Sequence, residues 1–196
     1  MKIEPFNAFL TTCQIWKACA TKSDRVSLEY VFFKNGRAYA SDSHILACIP
    51  MIYITNLDEE QQELLDGCAI YGPLMKRLTE HWPLRVEKQD GKTYIFANYD
   101  QHELRVDLLD ESSSLIVRPN FDEILSVSGE KTPISKVGLN NHLLSRLTAA
   151  LGSSEIKLGF FEESKKIIVE PILDLLYGVR GIIMPMMITG TFEGFE

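Results

Sequence analysis

The segment SDSHIL places Asp42 and His44 two residues apart. On a strand, that spacing sets both side chains on one face, as an acid–base pair requires. The alternative is a tight turn in which the Asp42 carboxylate ties down backbone amides. The surroundings favour the turn, because no nucleophile motif, no second carboxylate cluster and no Gly-rich phosphate loop accompany the pair. His81, His102 and His142 are scattered without metal spacing, and Cys13, Cys19, Cys48 and Cys68 match no zinc pattern. The four cysteines read as reduced and buried. The acidic run LDEEQQELLD, Leu57 to Asp66, reads as a solvated loop or short helix. No active site, cofactor or metal is expected, and the chain reads as a non-enzyme.

The basic residues carry a different signal. Lys17 and Lys22 fall on a first expected helix, Lys76 and Arg77 on a second, and Arg146 on a third, opposite or beside their apolar stripes. The formal net charge of −7 excludes a surface coated in basic residues for tight, non-specific nucleic-acid binding. It permits one face that concentrates Lys and Arg against a phosphate backbone.

These residues need elements to position them. A chain of 196 residues, 45% hydrophobic and 24% charged, is long enough for one or two folded domains. No apolar run reaches the roughly 20 residues of a membrane helix. The N-terminal MKIEPFNAFL shows neither an apolar h-region nor a cleavage site, so a cytoplasmic protein is expected.

Along the chain the same unit reads three times: an amphipathic helix, then antiparallel strands, each spanning roughly 45 to 55 residues. In the first, Phe6, Phe9, Leu10, Cys13, Trp16 and Ala20 recur at helical spacing. Val26, Leu28, Tyr30 and Phe32 then alternate on one strand face, KNGR is a hairpin turn, and AYASDSHILACIP returns as one or two strands. In the second, Leu74, Met75, Leu78 and Trp82 mark the helix, Asp90-Gly91 turns a hairpin, and HELRVDLL adds a strand. In the third, Leu139, Leu143, Leu147 and Leu151 mark a helix ending at Gly152. EIKLGFF and KKIIVEPI pair across EESK, and GIIMPMMI closes the unit. The polar, Ser-rich stretch from Asp110 to Pro133 reads as a linker, with one docking helical turn at Phe121, Ile124 and Leu125.

GIIMPMMI carries Pro185 between Met184 and Met186. A proline removes one ladder donor, so the run belongs at a sheet edge or where a ladder stops. A terminal edge strand with core methionines is one reading. The other is a grip for a partner peptide, because flexible thioethers suit an adaptable surface.

Taken in order, these segments resemble the bacterial sliding clamp family, the beta subunit of DNA polymerase III. YASDSHILA resembles its T-D-G-H-R-L-A segment, and IYGPLMKRLTEHWPLRVE its second-helix segment and following strand. RPNFDEIL resembles F-P-D-Y-x-x-(V/I)-(L/I), KVGLNNHLLSRLTAALGSSEIKLGFFEESKKIIVEP the second half of the last domain, and IIMPMMI the terminal V-M-P-M-R-L strand. The family glycine is Ser43 here, its arginine is Ile45, and the arginine of the last strand is Met187.

The resemblance implies an α+β, DNA-clamp-like fold of repeated helix plus antiparallel-sheet units. Residues 1–118 would form a complete clamp-like domain, and residues 119–196 a partial one carrying the C-terminal strand. It implies a pocket for clamp-binding peptides of the Q-x-x-L-F type, built here from Leu28, Ser41, His44, Leu46, Pro119, Ile124, Ile183, Met184, Pro185 and Met186. The expected function is that of a processivity factor. It would bind duplex DNA weakly and without sequence preference, and tether DNA polymerase or other partner proteins. The alternative is a clamp-derived adaptor or decoy that binds such peptides without encircling DNA. Because the third unit lacks its companion, it should leave apolar surface uncovered, and a homo-oligomer joined by edge strands is expected.

Overall fold

A computed structural model describes residues 13–80, 83–99, 102–110, 113–126, 130, 137–161 and 166–186. Among the described residues, ten strands fall into two antiparallel sheets. Tyr30–Lys34 (β1) and Arg37–Ser41 (β2) form the first hairpin. Its turn places Asn35 at φ 51° and Gly36 at φ 69°, the left-handed pair that a two-residue turn needs to match strand twist. Ile45–Pro50 (β3) pairs with β2, and Ala69–Tyr71 (β4) with the free side of β1. Leu84–Gln89 (β5), Lys92–Tyr99 (β6) and His102–Asp107 (β7) make the second sheet around the Asp90-Gly91 turn. Ile156–Phe160 (β8) pairs with Ile167–Pro171 (β9), which pairs with Arg180–Ile183 (β10).

β10 also pairs with β3, Ile183 opposite Ile45 and Arg180 opposite Cys48. The first sheet therefore has seven strands in the order β4-β1-β2-β3-β10-β9-β8, drawn from both sides of residue 118. This corrects two expectations. The last strand is central rather than an edge, and the third unit's sheet is completed by β3 rather than left open. The ladder ends at Ile183, and Met184 adds one bond from its N–H to the His44 carbonyl, 2.9 Å. Pro185 thus falls where the ladder stops, as its missing donor demands.

Among the described residues, four α-helices accompany the sheets: Glu59–Leu64 (α1), Gly72–Thr79 (α2), Phe121–Leu125 (α3) and Asn141–Leu151 (α4). Side-chain oxygens of Asp58, Asn120 and Asn140 cap α1, α3 and α4. Gly152 closes α4 in the left-handed conformation expected of a C-terminal glycine. One face of the large sheet packs on α2, α4 and the inner face of the small sheet, around Phe33, Ile45, Ile49, Met75, Leu78, Ile95 and Leu147. Gly181 of β10 lets α4 approach, since a Cβ there would stand 2.8 Å from Leu147 Cδ1 and 3.1 Å from the Leu46 carbonyl oxygen. The other face receives the chain between β7 and α4: Ile116 and Phe121 are buried on Phe32, Tyr39, Leu46 and Ile182. Phe121 stacks on Tyr39 at 4.5 Å between ring centroids, which is where the docking turn of the linker lands.

The first expected helix differs. Phe6, Phe9 and Leu10 lie outside the described residues, as do Trp82 and the EESK turn. Beyond them only a single 3-10 turn, Ile15–Ala18, forms. There the carbonyls of Lys17 and Cys19 accept from Arg146 of α4, at 3.1 and 2.8 Å, rather than from following turns of a helix. Cys19 turns extended. Val26 and Leu28 are likewise not on a strand but in a 3-10 turn, Val26–Glu29, where the Leu28 carbonyl accepts from the Ala20 N–H.

Candidate functional site

The turn between β2 and β3 settles the Asp42–His44 pair. Asp42 Oδ1 accepts from the backbone N–H groups of His44 and Ile45, each at 2.9 Å, and Oδ2 lies 2.6 Å from Arg146 Nη1. Both oxygens are engaged, so Asp42 shapes the turn, as the hydrogen-bonded reading requires. Ser43 sits at φ 79°. That conformation suits glycine, and Ser43 occupies the position that matches a family glycine. Its hydroxyl lies 3.3 Å from His44 Nδ1. The exposed His44 ring projects beside a cleft.

That cleft has a volume of about 710 Å³ and opens on the outer face of the large sheet. Its floor is Leu46 of β3 and Ile182 of β10, adjacent across the ladder. Ser41, His44 and Met184 form one end, and Pro119 with Ile124 of α3 form a wall. The 3-10 turn with Val26 and Leu28 forms the opposite wall. Leu115 and Val117 stand at the mouth, 70% and 81% exposed. Charge at the rim comes from Arg25, Arg118 and Lys166 against Asp24. Lys166 Nζ donates to the Ile124 carbonyl at 2.9 Å and Arg118 donates to the Gly67 carbonyl, which pins the wall segment to the sheet.

Seven of the ten residues matched to the peptide pocket meet here: Leu28, Ser41, His44, Leu46, Pro119, Ile124 and Met184. Ile183, Pro185 and Met186 do not. Strand alternation turns Ile183 to the opposite face, where it is fully buried in the main core. Met186 is drawn away by a bridge to Gly138, donating its N–H to that carbonyl at 2.9 Å. The period of two gave the missed signal: a strand whose Met184 faces the cleft must present Ile182 with it, not Ile183. Leu115 and Val117 were also legible, flanking a buried Ile116 in an otherwise polar stretch.

The basic residues divide. Lys17, Lys76 and Arg146 border a second depression of about 1030 Å³ between the 3-10 turn at Ile15–Ala18, α2 and α4. Arg77 is exposed on α2. Lys22 is exposed in a loop, because the helix expected to carry it ends before it. Arg146 is held by Asp42 and two backbone carbonyls, so its guanidinium is structural in this arrangement. Lys76 lies 4.0 Å from Glu80 one helical turn on. Buried Cys19 lines the same depression; burial, partly offset by Arg146, pushes its thiol up to about 12, so it is not a nucleophile. All four cysteines are buried thiols, and no disulfide joins them. Among the described residues no cluster of His, Cys, Asp and Glu could hold a metal ion, and no helix is long and apolar enough to cross a membrane.

No protein-family model and no curated protein sequence matches the chain. Solved structures do. The H. pylori beta clamp in complex with diflunisal superposes with a TM-score of 0.59 at 11% identity, over 89% of this chain and 62% of that one. The C. crescentus beta sliding clamp gives 0.57 at 14% identity, over 91% and 63%. The Bacillus subtilis DNA polymerase sliding clamp gives 0.54 at 14%, over 90% and 61%. The chain therefore spans less than two thirds of the length of these neighbours. At such identities the likeness speaks of architecture: this chain has the α+β fold of the bacterial sliding clamps.

Proposed function

We propose that the chain is a sliding-clamp-like, non-enzymatic cytoplasmic protein that lies against duplex DNA and tethers partner proteins through the apolar cleft. The observation that carries this reading is convergence. Three regions far apart in sequence, Leu28 with the SDSHIL turn, Pro119–Ile124 and Met184, meet at one cleft on a clamp fold. Apolar walls with a thioether and a few hydrogen-bonding groups suit an extended peptide with apolar anchors. Lys17, Lys22, Lys76 and Arg77 would contact phosphates, which positions DNA without reading sequence. A clamp holds DNA by encirclement, so weak contacts suffice and the net charge of −7 is tolerated. The partners would be DNA polymerase or other proteins carrying clamp-binding peptides, and the chain would associate with itself.

The test is calorimetry with a Q-x-x-L-F peptide. Micromolar binding, about −8 kcal/mol, is expected. The Leu46→Ala, Met184→Ala double variant should lose it, and unchanged binding there would place the site elsewhere. For DNA, the Lys76→Glu, Arg77→Glu variant should lower the slope of log affinity against log salt by about 2. Peptide binding without any DNA binding would favour the adaptor over the clamp.

A further inference from the structure

The outer face of the large sheet carries another cleft, of about 450 Å³, at the other end of β10. Alternation sets Arg180, Ile182 and Met184 on one face, so Arg180 reaches this cleft while the other two reach the first. α3 divides the two, with Ile124 walling one and Leu125 the other. The floor is polar, on a face that is otherwise apolar. Lys157 stands opposite Glu170 across β8 and β9, and Arg180 opposite Cys48 across β10 and β3. Arg180 Nε and Nη2 lie 3.0 and 2.8 Å from Glu170 Oε1, and Lys157 Nζ lies 3.4 Å from Oε2. Arg37 Nη1 donates to the Gly178 carbonyl at 3.0 Å. Burial works to raise the Glu170 carboxyl, but the Arg180 and Lys157 cations outweigh it and hold the carboxyl below its usual range. Arg37, Lys157 and Arg180 stand against this one carboxylate among the described lining residues, so the cleft is positive on a chain whose net charge is −7.

The far wall is apolar. Ile172, Leu173 and Tyr177 line it from the loop between β9 and β10; the first two are about half exposed and Tyr177 is 87% exposed. Apolar side chains exposed singly are normal, but a cluster marks an interaction surface. The loop is fixed in shape: the Ile172 N–H donates to the Glu155 carbonyl, Leu176 to Leu173 and Val179 to Leu176, each at 3.1 Å. A preformed wall loses little entropy on docking. We propose that this cleft docks a partner protein through a segment in which Asp or Glu stands beside large apolar residues. Charge complementarity and the apolar wall name the occupant. Acidic side chains would meet Arg37, Lys157 and Arg180, while their apolar neighbours would cover Ile172, Leu173 and Tyr177. A nucleic acid would meet the cations and leave the wall bare. The wall runs on past the cleft to Leu175, 63% exposed, so the occupant is longer than a small anion. The site is separate from the first cleft, and both can be filled at once.

The experiment pans a phage-displayed random peptide library on the full chain, then measures the enriched sequences as synthetic peptides by fluorescence polarisation. The consensus should set Asp or Glu next to Leu, Ile, Phe or Trp. Affinity should fall at least tenfold on Lys157→Glu with Arg180→Glu, and likewise on Tyr177→Ser. It should hold on Met184→Lys, which alters the first cleft alone. All four side chains are exposed, and folding of each variant is checked by thermal melting. Replacing the acidic residues of the peptide by Lys should restore binding to the charge-reversed variant, a rescue that an unfolded protein could not give. Binding to the wild type should also weaken as salt rises from about 50 to 500 mM. A panning that enriches no peptide, a consensus without acidic residues, binding indifferent to both cleft variants, or loss on Met184→Lys instead would each overturn the proposal. Because Met184→Lys changes the first cleft and leaves this one intact, failure of the Q-x-x-L-F peptide to bind is a separate result.

Discussion

Arg146 Nη1 lies 2.6 Å from Asp42 Oδ2, and the same guanidinium holds the carbonyls of Lys17 and Cys19. One side chain of α4 thereby joins the turn at the cleft to the 3-10 turn beside the basic depression. The Asp42 side chain is only 7% exposed, and this partner and the two amides of the turn engage both its oxygens.

Removing Arg146 should leave that carboxylate nearly buried and unpaired. Arg146→Ala is expected to cost about 2 to 4 kcal/mol of unfolding free energy in urea. Asp42→Asn with Arg146→Ala should cost less than Arg146→Ala alone, since no buried charge remains. Equal costs would mean that the ion pair contributes little beyond packing.

Ser43 carries a side chain at φ 79°, where a Cβ is crowded. Ser43→Gly should stabilise the fold by about 0.5 to 1 kcal/mol, the relief outweighing the added freedom of the unfolded chain. A thermal midpoint that falls would show that the contact of the Ser43 hydroxyl with His44 outweighs the strain.

Gly181→Ala places a methyl 2.8 Å from Leu147 Cδ1 and 3.1 Å from the Leu46 carbonyl. The leucine can shift, but the strand cannot. Destabilisation of about 1 to 3 kcal/mol is expected. Gly181→Ala with Leu147→Ala should be less than additive, because the second change opens the space the first needs.

The Cys19 thiol is raised by burial, against the pull of Arg146, from 9.0 to about 12. A thiol with a raised folded value is neutral in both states below pH 9. Above it the unfolded chain ionises first, so stability should fall as pH rises from 9 towards 12. Denaturation curves of the wild type should lose stability faster over this window than those of Cys19→Ala. Native Cys19 should resist alkylation at pH 8 until the protein is unfolded.

Local signals were legible wherever short-range chemistry decides. The Asn35-Gly36 and Asp90-Gly91 turns, the α4 stripe with Gly152 and the β8–β9 pairing all stand as read. The fold class followed from the ordered resemblance. The errors arose where a distant residue intervenes. Nothing near Lys17 announces that Arg146 will take its carbonyl, and nothing near Ile182 announces that β3 will be its neighbour. At the cleft, residue types are readable from sequence, but the alternation of the last strand gives the cleft Ile182 and turns Ile183 into the core. Arg146 read as a surface cation because its partner, Asp42, lies on another element.

The β3–β10 pairing also bears on how the protein comes to be folded. Its partners are roughly 135 residues apart, a long-range contact of the kind that slows folding. At about 5 to 20 residues per second, β3 leaves the ribosome on the order of ten seconds before β10 exists. Through that interval the apolar strand ILACIP has an open edge, a template for unwanted pairing between nascent chains. Yield of soluble protein should therefore depend on how quickly the last strand is delivered or how well a chaperone shields the early ones.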